Sequence, residues 1–345
     1  MSAEPDDRLF SKASLHGRWL KSAAAGRPEI TVAVTAYDRK EFVLAALRSA
    51  VDQTLPREKY EVVLVKNFSD EEIDEYASSH DIRLVSCAEP AIGEMAWAAI
   101  SSSSGEVVSF LDDDDLFARS KLEAVSRAMG DRSVGYYHNN VEVLDGCGRR
   151  RPLLLRQPTR SEALELPTCD RACLLRRIDD GAAFNSSSIS VRRDLLLGWE
   201  ATIRRSVSGP GFVLFLISLL SSRAIIDTTS LTVYRSHPSK APGKLVARAA
   251  LSVERSLATL RSVSASVSDR TCRAVVDYKI NEFLIRSYLY GNASGGGVAR
   301  WAAARLAKSP LSYMSPYRLL PIYLAFLWPF LPARFRRTVL ISSAL

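Results

Sequence analysis

The sequence predicts an α/β fold in which a mostly parallel sheet is flanked by helices and followed by a C-terminal helical extension. Short runs of β-branched and apolar residues alternate with segments whose apolar residues recur at helical spacing. This alternation extends from residue 30 to residue 129, which is typical of a parallel sheet with helices on its faces. From about residue 244 to residue 308 the helical spacing continues without a strand, interrupted only by the glycine-rich loop at 291–297.

The first half of the chain supplies the alternating elements in order. Strands are predicted over residues 30–35, 60–65, 83–86 and 106–111, and helices over residues 40–53, 70–79, 95–102 and 120–129. The helix at 70–79 opens with acidic residues, which the helix dipole favours in a first turn. Because open parallel sheets bind ligands at the carboxyl ends of their strands, we expect a site at the loops after residues 35, 65 and 111.

The second half of the chain is mixed. Strands are predicted over residues 134–144, 184–191 and 225–234, and a very apolar helix over residues 211–221. The predicted units are an N-terminal extension at 1–27, a sheet domain at 28–240, a helical extension at 241–315 and a tail at 316–345.

The tail at 316–345 contains an apolar stretch that is followed by three arginines. The stretch Leu319–Pro332 includes three prolines and has about 14 residues, whereas a membrane span needs roughly 20. Its aromatic residues and basic flank favour a segment at a membrane interface. A buried helix that closes the domain is the alternative.

The composition is that of an ordinary globular protein, with 47% hydrophobic and 24% charged residues. A net charge of +8 favours phosphate-bearing partners, but the chain shows no nucleic-acid-binding module, so no nucleic-acid partner is expected. The N-terminus lacks the pattern of a signal peptide, and the five cysteines lack a framework spacing. We therefore expect reduced thiols and a cytoplasmic protein at the cytoplasmic face of the membrane.

The strongest local signal is the acidic run in Phe110-Leu-Asp-Asp-Asp-Asp-Leu116. Adjacent carboxylates repel one another, so a fold that gathers four of them needs a compensating charge. A hard divalent cation, Mg²⁺ or Mn²⁺, supplies that charge and can bridge to a diphosphate as a Lewis acid. The alternative is a solvated turn in which Asp115 caps the next helix. Placement directly after a buried strand favours the metal site.

Five segments in order resemble motifs of the family 2 glycosyltransferases, the inverting group with the Rossmann-like GT-A fold. They are ITVAVTAYDR at 30–39, ALRSAVDQT at 46–54, EVVLVKNFSDE at 61–71, Gly93 with Gly105-Glu106 ahead of FLDDDD, and VYRSHPS at 233–239. The resemblance covers roughly residues 28–240. It implies metal-dependent transfer of a sugar, with inversion, from a nucleotide-diphosphate sugar to a glycan or lipid-linked acceptor. A nucleotidyltransferase is disfavoured because Thr35–Arg39 lacks a glycine-rich phosphate loop.

The resemblance also implies roles for the matching residues. Tyr37 is expected against the nucleobase, Asp38 near the nucleoside, and Asp115 beside the acceptor entrance. The implied donor-binding residues are Tyr37, Asp38, Lys66, Asn67, Asp112 and Arg235. The implied metal ligands are Asp112, Asp114 and His237. For His237 the alternative is a histidine at the end of a strand whose ring is hydrogen-bonded to the backbone.

Two departures from the family pattern bear on the mechanism. Lys66-Asn67 stands where the family has two aspartates; Asn67 can still bond a base edge, and Lys66 either meets a phosphate or is a solvated loop lysine. The stretch 206–212, where the family carries its general base, has no carboxylate. Asp115 and Asp180, the latter beside Asp179, remain as candidate bases. The alternative function is a catalytically degenerate GT-A domain that binds a nucleotide-sugar or a partner without turnover.

Overall fold

The computed structural model of the protein describes residues 27–89, 91–145, 148–151, 157–206, 210–236, 242–290, 296–307 and 331. The predicted N-terminal extension, except for residue 27, lies outside the described residues. So does the predicted tail, except for Leu331, and so does the predicted metal ligand His237.

A single sheet runs through the sheet domain in the strand order β3-β2-β1-β4-β9-β6-β10-β5, with β7 beside β6 and β8 beside β10. The strands are β1 (Ile30–Ala36), β2 (Tyr60–Lys66), β3 (Ile82–Ser86), β4 (Val107–Asp112), β5 (Leu116–Phe117), β6 (Val134–Asp145), β7 (Arg150–Arg151), β8 (Glu162–Leu164), β9 (Ile189–Arg192) and β10 (Arg223–Ser236). Strands β3, β2, β1 and β4 are parallel, as predicted. Beyond β4 the sheet is mixed, because β9 lies antiparallel to both β4 and β6.

Helices cover both faces of the sheet. They are α1 (Val43–Val51), α2 (Glu71–Ser79), α3 (Ile92–Ser102), α4 (Lys121–Met129), α5 (Arg171–Asp179), α6 (Arg193–Leu197), α7 (Glu200–Arg204), α8 (Gly211–Leu219), α9 (Pro242–Ser266), α10 (Arg270–Leu289) and α11 (Gly296–Ala307). Alternate residues of β1 point to opposite faces, so Val32 and Val34 join the core under α1, α2 and α4, whereas Ala33 joins the core under α3 and α8.

The helical extension is present and packs on the second of these cores. Val275 and Val276 of α10 are buried in the same cluster as Phe215 of α8. The Thr202 hydroxyl donates to the Ser266 hydroxyl at 3.2 Å, which ties the end of α9 to α7. Leu331 also packs against this cluster. Among the helices that the structure describes, none is both long and apolar enough to cross a membrane.

One predicted strand is partly wrong. Residues 186–188 of the segment 184–191 form a 3-10 turn, and β9 starts only at Ile189. Asn185 adopts a left-handed backbone conformation with φ 56°, and its side chain accepts from the Ser187 N–H at 3.0 Å. Asparagine tolerates this conformation because its short polar side chain bonds locally, so the turn interrupts the strand.

The expectation of isolated, reduced thiols is wrong for one pair of cysteines. Cys169 and Cys173 form a disulfide with their Cα atoms 5.2 Å apart. Asp170 lies between them as the N-cap of α5, accepting from the Cys173 N–H at 2.8 Å. The turn that starts this helix therefore brings the two cysteines within bridging distance. Cys87 and Cys272 are free thiols.

Candidate active site

The carboxyl ends of three parallel strands meet at one edge of the sheet. Strand β1 lies between β2 and β4, and its register places Thr35 beside Asp112 and Ala36 beside Lys66. The loops predicted to form the site are therefore neighbours in space. This follows from the parallel pairing alone, since each strand ends on the same side.

Asp38 and Asn67 form a reciprocal pair at this edge. The Asp38 N–H donates to Asn67 Oδ1 at 3.0 Å, and Asn67 Nδ2 donates to Asp38 Oδ1 at 2.8 Å. Asp38 has φ 53°, a left-handed conformation that lets the chain turn directly after β1. Tyr37 is half-buried against the core, and burial together with the Asp38 charge raises the pKa of its phenol. Three of the predicted donor-binding residues thus lie together.

Lys66 is buried and bound within the protein. Its ammonium donates to the Phe68 carbonyl at 2.6 Å and lies 2.7 Å from Asp74 Oδ1. Only 8% of its side chain is exposed, so the alternative of a solvated loop lysine is wrong. These two contacts engage two of the three N–H donors of the ammonium.

The acidic loop, residues Asp112–Asp115, follows β4 and is held by the 3-10 turn at Ser186–Ser188. Ser186 Oγ donates to Asp112 Oδ2 at 2.5 Å, and Ser187 Oγ donates to Asp115 Oδ2 at 2.7 Å. The Asp112 N–H in turn donates to Ser187 Oγ at 3.0 Å. Two hydroxyls therefore fix the carboxyl groups of Asp112 and Asp115, from a segment more than 70 residues away in the chain.

Arg235 contributes to this arrangement through its backbone. Its N–H donates to Asp115 Oδ1 at 3.0 Å, so Asp115 is bonded on both oxygens. The Arg235 guanidinium lies over the Phe42 ring, 4.7 Å from the centroid. Arg235, predicted to bind the donor, thus contacts the acidic loop through its main chain, and its side chain stacks on an aromatic ring.

The acidic loop is electrostatically strained. Burial, above all, raises the pKa of Asp112 and Asp113 to about 6. Burial and the nearby charge of Asp112 raise the pKa of Asp115 to about 8. Each carboxylate disfavours the ionisation of the others because like charges that lie close together repel, and burial weakens the screening of that repulsion by water. A bound cation would lower these pKa values.

Arg39 supplies part of the missing positive charge. Its guanidinium donates to Asp113 Oδ1 and lies 2.6 Å from Asp114 Oδ2. The side chain of Arg39 is half exposed, whereas that of Asp113 is 5% exposed. This arginine therefore offsets part of the charge of Asp113 and Asp114, whereas Asp112 and Asp115 accept hydrogen bonds only from neutral donors.

The donor chemistry of the acidic loop fits Mg²⁺ or Mn²⁺, both of which prefer carboxylate oxygens. Asp113 Oδ2 is buried and has no hydrogen-bond partner among the described residues. The described ranges contain no group of three or more His, Cys, Asp or Glu side chains in a metal-binding arrangement. Two of the predicted ligands, Asp112 and Asp114, share the loop, and the third, His237, lies outside the described residues.

The two candidate bases occupy different surroundings. Asp115 is inside the acidic loop and only 1% exposed. Asp180 follows α5, where its carboxylate lies 3.4 Å from Arg177. Within the part of the chain that the structure describes, no hydrogen bond joins Asp180 to the acidic loop. The structure thus does not bring Asp115 and Asp180 into one hydrogen-bonded group.

A buried lysine connects to the same turn from the opposite side. Lys121 at the start of α4 is fully buried, and its ammonium donates to Asn139 Oδ1. Asn139 Nδ2 donates to Thr232 Oγ1 at 3.0 Å, and Thr232 Oγ1 donates to the Ser187 carbonyl at 3.0 Å. These bonds define the Lys121 chain, which ends at the serine that holds Asp115. Burial lowers the pKa of Lys121 to about 7.

Sequence reasoning missed Arg39, Ser186, Ser187 and Lys121 as site residues. Arg39 stands directly after the Tyr37-Asp38 turn, so its position in that motif was an available signal. The run Asn185-Ser-Ser-Ser188 was a weaker signal, since serines of this kind favour turns but carry no information on their partners. Nothing in the local pattern distinguishes Lys121 from an exposed helix-start lysine.

Comparison with known proteins places residues 31–196 in the profile described as Glycosyl transferase family 2. A curated relative, an uncharacterized glycosyltransferase of Rickettsia bellii (strain RML369-C), is 27% identical over 125 residues. That match covers 35% of this chain and only 18% of the Rickettsia protein.

Solved structures share the architecture of the chain. TarS 1-349 of S. aureus in complex with UDP-GlcNAc matches with a TM-score of 0.57 at 15% identity, over 92% of this chain and 90% of that one. A longer TarS chain matches with a TM-score of 0.58 at 14% identity, over 91% of this chain and 55% of that one. The mannosyltransferase PcManGT from Pyrobaculum calidifontis, in complex with GDP-Man and Mn²⁺, matches with a TM-score of 0.51 at 18% identity, over 96% of this chain and 92% of PcManGT. These likenesses confirm the predicted fold.

Proposed function

This chain belongs to the family 2 glycosyltransferases, and from that premise we propose that it transfers a sugar from a nucleotide-diphosphate donor to a glycan or lipid-linked acceptor with inversion. The observation that carries the proposal is the strained acidic loop beside the Asp38–Asn67 pair at one sheet edge. A cation site next to polar groups that suit a nucleoside is the arrangement that a nucleotide-sugar requires. The complexes of TarS with UDP-GlcNAc and of PcManGT with GDP-Man support this donor class.

The donor would lie across the ends of β1, β2 and β4. Tyr37 would contact the base, and Asp38 and Asn67 would bond the nucleoside. Asp112 and Asp114, with His237, would hold Mg²⁺ or Mn²⁺, which offsets the charge that builds on the departing diphosphate. Arg39 already lies on Asp113 and Asp114 and would pair with a phosphate oxygen that approaches them.

Inverting transfer requires one proton to be moved. An acceptor hydroxyl oxygen forms a bond to the anomeric carbon while the bond from that carbon to the diphosphate oxygen breaks, and a base takes the hydroxyl proton. Asp115 and Asp180 are the candidates. Asp115 belongs to the acidic loop, but its raised pKa would keep it mostly protonated at neutral pH until a bound cation lowers that pKa.

The base assignment is tested by comparing turnover of Asp115→Asn and Asp180→Asn. Loss of the base is expected to lower the rate by about 10² to 10⁴, with the donor affinity little changed. Asp194→Asn, at an exposed helix start, serves as the control. Near-wild-type rates in both variants would remove both candidates.

A degenerate domain that binds a nucleotide-sugar without turnover is the second candidate function. Two observations favour it: residues 206–212 contain no carboxylate, and the candidate base of the acidic loop, Asp115, is buried and accepts hydrogen bonds on both oxygens. Such a domain would bind the nucleotide with metal and would fail to consume a donor sugar.

The deciding experiment is calorimetric titration of the purified protein with UDP, GDP, dTDP and CMP, each with and without Mn²⁺. Binding of one nucleoside diphosphate only in the presence of metal is expected. Asp114→Asn should abolish that binding, and the conservative Asp131→Asn, far from the loop, should retain it. No binding of any nucleotide, or equal binding to Asp114→Asn, would contradict the proposal.

We also propose that the protein works in the cytoplasm at the cytoplasmic face of the membrane, where a lipid-linked acceptor would be available. The apolar stretch within 316–345 supports this location through its aromatic content and basic flank. A nucleic-acid partner is not proposed, because only the net charge would favour it.

A further inference from the structure

The positive charge of this protein is concentrated in its last third. Residues 27–236 contain 26 Lys and Arg against 31 Asp and Glu, a net charge of −5. Residues 237–345 contain 16 Lys and Arg against 4 Asp and Glu, a net charge of +12. An acidic sheet domain is therefore joined to a strongly basic extension, and such asymmetry indicates a polyanionic partner for the basic part.

Exposed arginines occur in both parts, and some of them form ion pairs. Arg119 of the sheet domain pairs with Asp52 at 3.0 Å, and Arg286 of the extension pairs with Glu282 at 2.7 Å. Four exposed arginines of the extension form no ion pair with another described residue. These four extension arginines are Arg255, Arg261, Arg270 and Arg300. Their charge is thus available to an external anion.

Exposed apolar side chains lie near two of these arginines. Leu251 and Trp301 are 51% and 54% exposed, more than any other large apolar side chain in the described residues. Leu251 lies one turn before Arg255, on the same side of α9. Trp301 follows Arg300 in sequence and lies about 100° further around α11. A large apolar group next to a cation suits the boundary between lipid headgroups and acyl chains.

The packing of the extension turns these side chains to the outside. Helices α9 and α11 both pack on α10, whose inner face is buried in the core shared with the sheet domain. Ser287 on α10 donates to Glu254 on α9 at 2.5 Å, which fixes the two helices side by side. The exposed residues of α9 and α11 therefore form the outer surface of the extension.

We propose that the outer surface of α9–α11 docks on an anionic lipid surface. The four extension arginines would contact the headgroups, and Leu251 and Trp301 would enter the interface. Charge complementarity identifies the partner as a polyanion, and the exposed leucine and tryptophan favour lipid over nucleic acid. The inference deepens the proposed membrane location and rests on it, but it is independent of the proposed activity, because lipid binding requires neither donor nor metal.

The test is sedimentation of the full-length protein with phosphatidylcholine vesicles and with vesicles that also contain phosphatidylglycerol. The protein is expected to bind the anionic vesicles and to lose binding at high salt. A basic residue near an anionic surface strengthens binding by about a factor of five. Replacing the four extension arginines by Gln should therefore weaken binding at least about tenfold.

A matched variant carries Arg119→Gln, Arg127→Gln, Arg132→Gln and Arg160→Gln, which changes the net charge equally in the sheet domain. It should bind the vesicles like the wild type. Equal losses in both variants, no loss in the extension variant, or equal binding of wild type to neutral vesicles would overturn the proposal. So would tighter binding to a short DNA duplex than to anionic vesicles.

Two further measurements separate this inference from the proposed function. Leu251→Ser combined with Trp301→Ser should weaken vesicle binding at low salt, and by a similar factor at moderate salt where the wild type still binds, because it removes the apolar contribution; unchanged binding would contradict the insertion. Donor turnover with a soluble acceptor should be the same in the extension variant and the wild type. A wild type that binds vesicles but shows no turnover would contradict the proposed function alone.

Discussion

Asp115→Asn removes a buried carboxyl charge while keeping the size of the side chain. Burial and the charge of Asp112 raise the pKa of Asp115 from 3.8 to about 8. A carboxyl group whose pKa is higher in the folded state binds its proton more tightly there. Below about pH 4 the group is protonated in both the folded and the unfolded state, so it costs the folded state no stability. As the pH rises towards 8, the free energy of unfolding falls, because the unfolded state releases the proton more readily. We expect the variant to be more stable than the wild type at pH 8 without metal, and the difference to shrink on acidification.

The magnitude follows from the size of the shift. One pKa unit corresponds to about 1.4 kcal/mol, so the whole shift would set an upper limit of about 6 kcal/mol at pH 8. Asp112 titrates over the same range and relaxes part of this repulsion, and the substitution weakens the bond from Ser187 by about 1 kcal/mol. We expect a net gain of about 2 kcal/mol at pH 8, or about 4 °C in the melting temperature.

Thermal unfolding of both proteins in EDTA between pH 5 and pH 8.5 measures this difference. Asp227→Asn is the control of opposite sign. Burial raises the pKa of Asp227, but bonds from Tyr137 and Thr229 outweigh burial and lower it overall. That variant should lose stability, most of all above pH 4. A difference in melting temperature between Asp115→Asn and the wild type that is the same at pH 5 and pH 8.5 would refute the electrostatic reasoning.

Two further predictions concern the neighbours of the acidic loop. Arg39→Gln should strengthen the binding of Mn²⁺ in the absence of nucleotide severalfold, because it removes a competing cation from Asp113 and Asp114. Electron paramagnetic resonance measures this affinity, and Arg119→Gln is the control. Equal or weaker Mn²⁺ binding by Arg39→Gln than by the wild type would contradict the argument. Thr232→Val should interrupt the Lys121 chain and lower kcat about tenfold while donor affinity stays within about twofold. Tyr137→Phe removes a hydroxyl that donates to Asp227 and keeps the ring over which the Lys121 ammonium lies, so it should leave kcat unchanged. Equal losses in both variants would dismiss the chain as a positioning device.

The part of the site that sequence could predict is the part that a local pattern determines. Apolar strands followed by polar loops fix the positions of Asp38, Asn67 and Asp112, because parallel strands end at a common edge. The serine turn could not be predicted, since Ser187 meets Asp115 across 72 residues and only the antiparallel pairing of β9 with β4 brings them together. Lys66 shows the same limit, because its partner Asp74 depends on the packing of α2.

The acidic loop divides its compensation between two kinds of partner, and this division has a functional meaning. Arg39 offsets part of the charge of Asp113 and Asp114, and it is half exposed, so it can move when a ligand arrives. Asp112 and Asp115 accept hydrogen bonds from Ser186, Ser187 and the Arg235 N–H, which orient these carboxyl groups without neutralising them. A loop that is held in place but lacks charge compensation has stored electrostatic free energy that a bound cation would release. The raised pKa values are therefore a consequence of preorganisation, and the fold accepts a loss of stability at neutral pH to keep the loop ready for its ligand.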